Sequence, residues 1–195
     1  MIGIDFYGGI SAEELGLDPK LVNDCAPSGG ASLSRILRDL KITPKDSICD
    51  IGCGKGSAMR AMLDFPFKQV DGIELSQQIA DTATSNFSKL KVSRANVYAL
   101  DATKFEYYGR YNFFYFYNPF PDFIVSQCLK KINEQCDRED EIIIIYNNPK
   151  AHRQVEAYGF TKIAEYPEEW GNGIFIYTNK IEKSRISPKN QIDRN

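Results

Sequence analysis

Ser47-Ile48-Cys49-Asp50-Ile51-Gly52-Cys53-Gly54-Lys55-Gly56 is the stretch on which the reading of this chain turns. Apolar residues run into an aspartate, three glycines follow at alternate positions, and a helix-forming segment extends from Ser57 to Phe65. That order predicts a buried strand, a tight turn and a helix. Positions without a Cβ let the turn adopt positive φ and let a bound ligand touch the main chain. The start of the following helix adds free N–H groups that suit an anionic or carboxylate-bearing ligand.

Spacing narrows the choice of ligand. A dinucleotide fingerprint requires G-x-G-x-x-G, and the residue three after Gly54 is Ser57, so the pattern fails. A Walker loop requires G-x-x-x-x-G-K-[ST], and Gly52 and Ser57 stand in the wrong places for it. What remains is Asp-x-Gly-x-Gly-x-Gly.

The rest of the chain gives this turn a setting. With 195 residues it has room for one sizeable core. Its hydrophobic content of 43% and charged content of 26% are those of a soluble globular domain. A net charge of −2 gives no global attraction to nucleic acid or to an anionic membrane, so nucleic acid is a disfavoured but open partner that would need a local basic patch. No apolar run approaches the ~20 residues of a membrane span. Met1–Gly9 has no basic segment followed by an apolar core, so no secretory leader is expected. The five cysteines, at 25, 49, 53, 128 and 136, form neither a disulfide framework nor a zinc spacing. Cys49 and Cys53 read as small apolar fillers, and a cytoplasmic protein without a metal site is expected.

Further strand tips follow the turn. Gln69–Leu75 is a second strand that delivers an acid, Glu74, about twenty residues after the turn, where a carboxylate can accept both hydrogen bonds of a ribose diol. Leu75 is placed to pack on an adenine face. Ser76 caps a helix through Ile79, Ala80, Ala83 and Phe87. A third strand, near Asn96–Leu100, ends at Asp101-Ala102 and leads to Phe105. Asn112-Phe113-Phe114-Tyr115-Phe116-Tyr117-Asn118-Pro119-Phe120-Pro121 reads as a strand buried on both faces and stopped by Pro119, which presents Asn118 at the carboxyl edge of the sheet. A helix to about Cys136 follows, with Phe123, Ile124, Cys128, Leu129 and Ile132 on one face. The fifth strand, Glu141–Tyr146, ends in Asn147-Asn148-Pro149. His152, the only histidine, lies on a short helix and reads as a surface or capping residue. Phe160–Tyr166 and Gly173–Thr178 close the domain as a hairpin, with Trp170 between them as a candidate lid. Upstream, Ser28 or Ser32 is expected to cap a helix through Leu33, Ile36, Leu37 and Leu40.

Five βα units and a hairpin predict an α/β fold: a three-layer sandwich on a Rossmann-like, seven-stranded, mostly parallel sheet with a C-terminal antiparallel hairpin. Right-handed crossovers then bring Gly52, Glu74, Asp101 and Asn118 to one edge. Three parts are expected: an N-terminal segment, 1–46, with helical character; the α/β domain, 47–179; and a polar, basic tail, 180–195, expected to fray.

Taken together, Asp50 and the glycine turn, the acids at the next two strand tips and the Asn-Pro tip resemble the class I methyltransferases. The resemblance covers roughly Ser47–Thr178. It implies S-adenosyl-L-methionine as cofactor, with Asp50, Gly52, Cys53, Gly54 and Gly56 around its methionine part, Glu74 and Leu75 on the ribose and adenine, and Asp101 and Ala102 at the adenine amino group. It also implies that residues 1–46 lie over the cofactor, with Asn23–Gly30 nearest the methionine end. Asn118-Pro119-Phe120 is similar to the Asn-Pro-Pro-aromatic signature of amino-methylating members, in which the Asn oxygen and a proline carbonyl orient the target amine. This chain has Phe120 where the second proline belongs and Pro121 where the aromatic belongs. The implied function is methyl transfer to an amine of a small molecule or a protein side chain. The alternatives are transfer to a sugar oxygen, aminopropyl transfer, whose enzymes usually carry Asp where this chain has Asn118, and cofactor binding without catalysis. The resemblance names neither the acceptor nor an oligomeric state.

Overall fold

A computed structural model describes residues 3–16, 18, 20, 26–137, 139–168, 171–183 and 185–186. All five residues of β1 (Ser47–Ile51) are buried, as expected of a parallel strand covered on both faces. It pairs in parallel with β2 (Gln69–Glu74) on one side and with β4 (Phe113–Tyr117) on the other. Outside β2 lies β3 (Ala95–Ala99), and outside β4 lies β5 (Ile143–Asn147), both parallel. The last two strands, β6 (Thr161–Tyr166) and β7 (Ile174–Thr178), are antiparallel, with β7 inserted next to β5. The sheet order is β3-β2-β1-β4-β5-β7-β6. The chain therefore steps outward from β1 to β3, returns to β4 beside β1, and steps out the other way. The reversal opens a crevice at the carboxyl ends of β1 and β4, where such sheets bind ligands.

Alternate residues of the central strands feed two cores. Ile48, Phe113, Tyr115, Ile143 and Ile145 pack against α1 (Ala31–Asp39), α2 (Ser57–Met62) and α3 (Gln77–Lys89), through Leu33, Ile36, Met59 and Phe87. Cys49, Ile51, Phe114, Phe116, Ile144 and Tyr146 pack against α4 (Asp122–Gln135) and α5 (His152–Ala157), through Cys128, Leu129 and Val155. The expected three-layer sandwich forms, and Cys49 and Cys53 are buried fillers as read. Among the described residues no helix is long and apolar enough to cross a membrane.

Several expectations need correction. Neither Ser28 nor Ser32 caps α1: its N-cap is Gly30, without a side-chain bond. Ser28 instead donates its backbone N–H to Ser57 Oγ at 2.9 Å, because the loop lies against the start of α2; a Cβ on Gly29 would stand 2.1 Å from the Ser57 carbonyl oxygen. On α4 the buried stripe is Val125, Cys128, Leu129 and Ile132, which follows helical spacing and leaves Phe123 half exposed. The tail does not fray from its start. Arg185 donates to Asp46 and to Glu141, each at 2.8 Å, and Ile186 is buried. Burial raises the Asp46 carboxyl, but Arg185, Asn112 and Thr43 more than offset it and hold it below the usual carboxylate range. Asn23, Cys25, Trp170 and residues 187–195 lie outside the described residues.

Candidate active site

The glycine turn is built from main-chain geometry. Gly52, Gly54 and Gly56 have φ of +84°, +54° and +87°. The Gly52 and Cys53 N–H groups both donate to the Ile73 carbonyl, at 2.9 and 3.0 Å, which pulls the turn across the tip of β2. A Cβ on Gly52 would stand 2.5 Å from Pro119 Cβ, so the turn and the tip of β4 touch where no side chain intervenes. Glu74 fastens the arrangement: Gly54 N donates to its Oε2 at 3.0 Å and Ser76 N to its Oε1 at 2.9 Å. A carboxylate keeps spare lone pairs after two such bonds, so Glu74 can still receive a hydroxyl. Burial raises its pKa against these main-chain donors.

Asp50 is the unexplained group. It is 2% exposed, and its carboxylate has no hydrogen bond or ion pair among the described residues. Burial, and then the charge of Glu74, push its pKa well above the ordinary aspartate value. It pairs in register with Tyr115 at the crevice. A cationic or N–H-rich ligand would relieve this carboxylate, since burying one without donors is costly.

Two cavities open at this edge. One is a narrow slot of about 80 Å³, lined by Ile73, Leu75, Leu100, Asp101, Ala102, Phe120 and Ile124. One oxygen of Asp101 is occupied: its Oδ1 accepts from Thr103 N at 2.9 Å and Thr103 Oγ1 at 2.7 Å, capping the short 3₁₀ turn Ala102–Lys104 and leaving Oδ2 outside both bonds. The other is a chamber of about 510 Å³ between the 27–33 lead-in of α1, Tyr117, the Asn147-Asn148 tip and the β6–β7 connection at Glu168 and Gly171. Tyr115 ties its walls together, donating from its hydroxyl to the Ser28 carbonyl at 3.3 Å and accepting from Asn147 Nδ2 at 3.2 Å.

Both cavities border one strand tip. Tyr117 lines the chamber and Phe120 lines the slot, with Asn118 and Pro119 between them. Asn118 has φ of +40° and Asn148, at the neighbouring tip, has φ of +51°. Asparagine tolerates that left-handed conformation better than most residues.

Of the residues singled out in the sequence, Leu75, Asp101, Ala102 and Phe120 meet in the slot. Asp50, Gly52, Cys53, Gly54, Gly56 and Glu74 form the turn and its anchor. Phe120 therefore stands with the adenine-side residues and not on the chamber side. Ser28, within the Asn23–Gly30 stretch expected near the methionine end, lines the chamber; Glu168, on the same cavity, has no signal in the sequence, since distant segments build that wall and no local pattern links them. Lys55, inside the turn, is buried and pairs with Asp5 at 2.6 Å. Asn86 holds the same N-terminal segment, accepting from Asp5 N and donating to the carbonyls of Asp5 and Lys55. His152 lines neither cavity; it lies 3.9 Å from Glu156 with its ring against Phe175.

Comparison with known proteins agrees with this geometry. Residues 48–137 match the family model of a methyltransferase domain. No curated protein matches the sequence. Among solved structures, the mitomycin 7-O-methyltransferase MmcR superposes with a TM-score of 0.59 at 15% identity, over 75% of this chain and 52% of its own. This chain thus spans about half the length of that relative. An S-adenosylmethionine-dependent methyltransferase from Aquifex aeolicus superposes with a TM-score of 0.59 at 13% identity, covering 75% of this chain and 87% of its own. An rRNA methylase from Streptococcus thermophilus gives 0.53 at 13% identity, over 72% and 89%. At these identities the neighbours share a fold, and their acceptors differ.

Proposed function

We propose that this chain is a class I methyltransferase that uses S-adenosyl-L-methionine and methylates the nitrogen of an amine, a reading supported by the match of residues 48–137 to a methyltransferase domain. The residues present suit the cofactor. The buried Asp50 carboxylate, without a partner among the described residues, matches an ammonium group, the glycine turn leaves main chain open to close approach, and Glu74 retains lone pairs for a ribose diol. Leu75, Ala102 and Phe120 would flank the adenine, and Asp101 would meet its amino group. When bound, the cofactor supplies an electrophilic methyl carbon: the amine lone pair forms the new N–C bond, the C–S bond breaks with its electrons to sulfur, and the surplus proton leaves for solvent.

The observation that carries the amine reading is the place of Asn118, an amide at a strand tip between slot and chamber. An amide oxygen there, with the Pro119 carbonyl, can accept two amine hydrogens and so aim the nitrogen lone pair. Fixing that direction supplies positioning, which is most of what such a displacement needs. Tyr117, on the chamber wall, offers a ring face to the positive charge shared by the reacting groups. A cytoplasmic setting is supported by the buried thiols of Cys49 and Cys128, which form no disulfide among the described residues.

The test uses the backbone as a control. Asn118→Gly keeps the left-handed turn and deletes the amide; Asn118→Ala deletes it and adds strain. With tritiated cofactor and an extract of source-cell small molecules, both variants are expected to retain binding of S-adenosylhomocysteine and to lose transfer on the order of a hundredfold. Label retained on a cation-exchange resin after alkali treatment is expected. Label confined to neutral products or RNA, or full activity in Asn118→Gly, overturns the reading.

A further inference from the structure

The chamber carries a statement about the acceptor, which rests on the amine-methylation reading. Its volume of about 510 Å³ is that of a small-molecule pocket, and it is walled by three separate parts of the chain. The lead-in wall contributes Pro27, Ser28, Gly30, Ala31, Ser32 and Leu33, none of which carries a side-chain charge. The tips of β4 and β5 contribute Tyr117, Asn147 and Asn148. The Asn147 amide N–H donates to Tyr115 Oη, and its oxygen accepts nothing among the described residues. The remaining wall contributes Glu168, the one ionised side chain on the lining among the described residues.

We propose that the acceptor is a small amine with a second, cationic nitrogen, held by Glu168 and the Asn147 carbonyl oxygen while its first nitrogen reaches Asn118. The two nitrogens need opposite surroundings. The reacting one must arrive neutral, because a protonated amine has no lone pair to donate. The distal one stays charged, because a carboxylate favours the protonated form. A lining with one negative charge and no basic side chain among the described residues sorts such molecules from nucleotides and carboxylic acids. Amide N–H groups at the start of α1 remain for a hydroxyl or carbonyl elsewhere on the acceptor.

The test is calorimetric titration of the S-adenosylhomocysteine-loaded protein with spermidine, a flexible polyamine, and with succinate as an anionic probe. Spermidine is expected to bind and succinate not to bind. Glu168 is exposed, so Glu168→Gln is expected to weaken spermidine about two- to fivefold, the range of an exposed ion pair, and Glu168→Lys more than tenfold. Both variants are expected to bind S-adenosylhomocysteine as the parent does, which controls for folding. Binding of spermidine that ignores both substitutions, its absence from a protein that binds S-adenosylhomocysteine, or preferential binding of succinate each overturns the proposal. A protein that fails to bind S-adenosylhomocysteine would instead remove the methyltransferase premise, so the two failures are distinguishable.

Discussion

On the β2–β3 side of the switch point the walls are apolar side chains with one carboxylate, Asp101, and the cavity is a slot of about 80 Å³. On the β5–β7 side amides, hydroxyls and a carboxylate stand among apolar residues such as Leu33 and Ile174, and the cavity is about 510 Å³. The slot is fastened by hydrogen bonds that cross from one strand tip to the next: Gly52 and Cys53 to Ile73, and Gly54 to Glu74. The chamber is tied by the Tyr115 hydroxyl, shared between Ser28 and Asn147, and by Asn148, which accepts from Asn172 N and donates to the Gly173 carbonyl. A ligand common to a whole family is served by backbone geometry, which few substitutions can vary. A ligand particular to one member is served by side chains, which change freely.

The largest effect should separate the sides directly. Gly52 has φ of +84° and no room for a Cβ beside Pro119, at 2.5 Å. Gly52→Val imposes a left-handed conformation that costs about 1–2 kcal/mol and pushes the β4 tip away. S-adenosylhomocysteine affinity is expected to fall on the order of a hundredfold, about 3 kcal/mol, by calorimetry. The counterpart on the chamber side is Gly171, with φ of +79° and a Cβ position 2.9 Å from Asn148 Oδ1. Gly171→Ala is expected to leave that affinity within about twofold, the limit for a site not touching the ligand. Equal losses from the two variants would erase the asymmetry.

Asp50 gives a second contrast, in which stability and binding move in opposite directions. Asp50→Asn removes a buried carboxylate that has no hydrogen bond or ion pair among the described residues. The cofactor-free protein is expected to gain about 1–3 kcal/mol at pH 8, while S-adenosylhomocysteine binding weakens about tenfold. Loss of both would make Asp50 a structural residue of the turn.

The same group fixes a pH dependence. A carboxyl whose folded pKa is raised binds its proton more tightly folded than unfolded, so its favourable contribution is full below the unfolded value and is lost as pH rises through the folded value. Asp50 is raised first by burial and then by Glu74; Glu74 is raised by burial. Asp46 moves the other way, so its contribution with Arg185 is lost as pH falls. Comparison of the parent with Asp50→Asn cancels Asp46. The gap in melting temperature is expected to widen as pH rises from the ordinary aspartate range towards 8. A gap that stays constant over that range would mean Asp50 is ionised throughout.

How much the sequence disclosed follows the same division. The turn was legible because glycines at 52, 54 and 56 have few other reasons to alternate, and Glu74 because a strand period led to it. The aromatic run 113–117 announced a two-faced strand, and its residues do divide between two cores. What stayed hidden depends on distant partners. Phe120 was read with Asn118, yet it lines the slot, since Pro119 packs on Gly52 and turns the next residue that way. Arg185 was read as part of a frayed tail, and only the fold brings Asp46 and Glu141 to it. Ser28 and Glu168 line one chamber from positions 140 apart in the chain, a relation no periodicity records.

The smallest effect tests how finely the chamber is tied. Asn147→Ala deletes the donor to Tyr115 Oη at 3.2 Å and leaves that hydroxyl donating to Ser28 at 3.3 Å. Losing one of two bonds on a buried hydroxyl costs about 0.5–1.5 kcal/mol. For a domain of this size that lowers the melting temperature by about 2–4 °C per kcal/mol. The Asn147 oxygen also leaves the chamber, so the KM of the amine that takes the label is expected to rise about threefold, with kcat and S-adenosylhomocysteine affinity little changed. A fall in kcat with KM unchanged would mean that Asn147 acts at the reacting nitrogen. The amide pair at the tips of β4 and β5 would then work as one unit, and the boundary between cofactor side and acceptor side would run through β5.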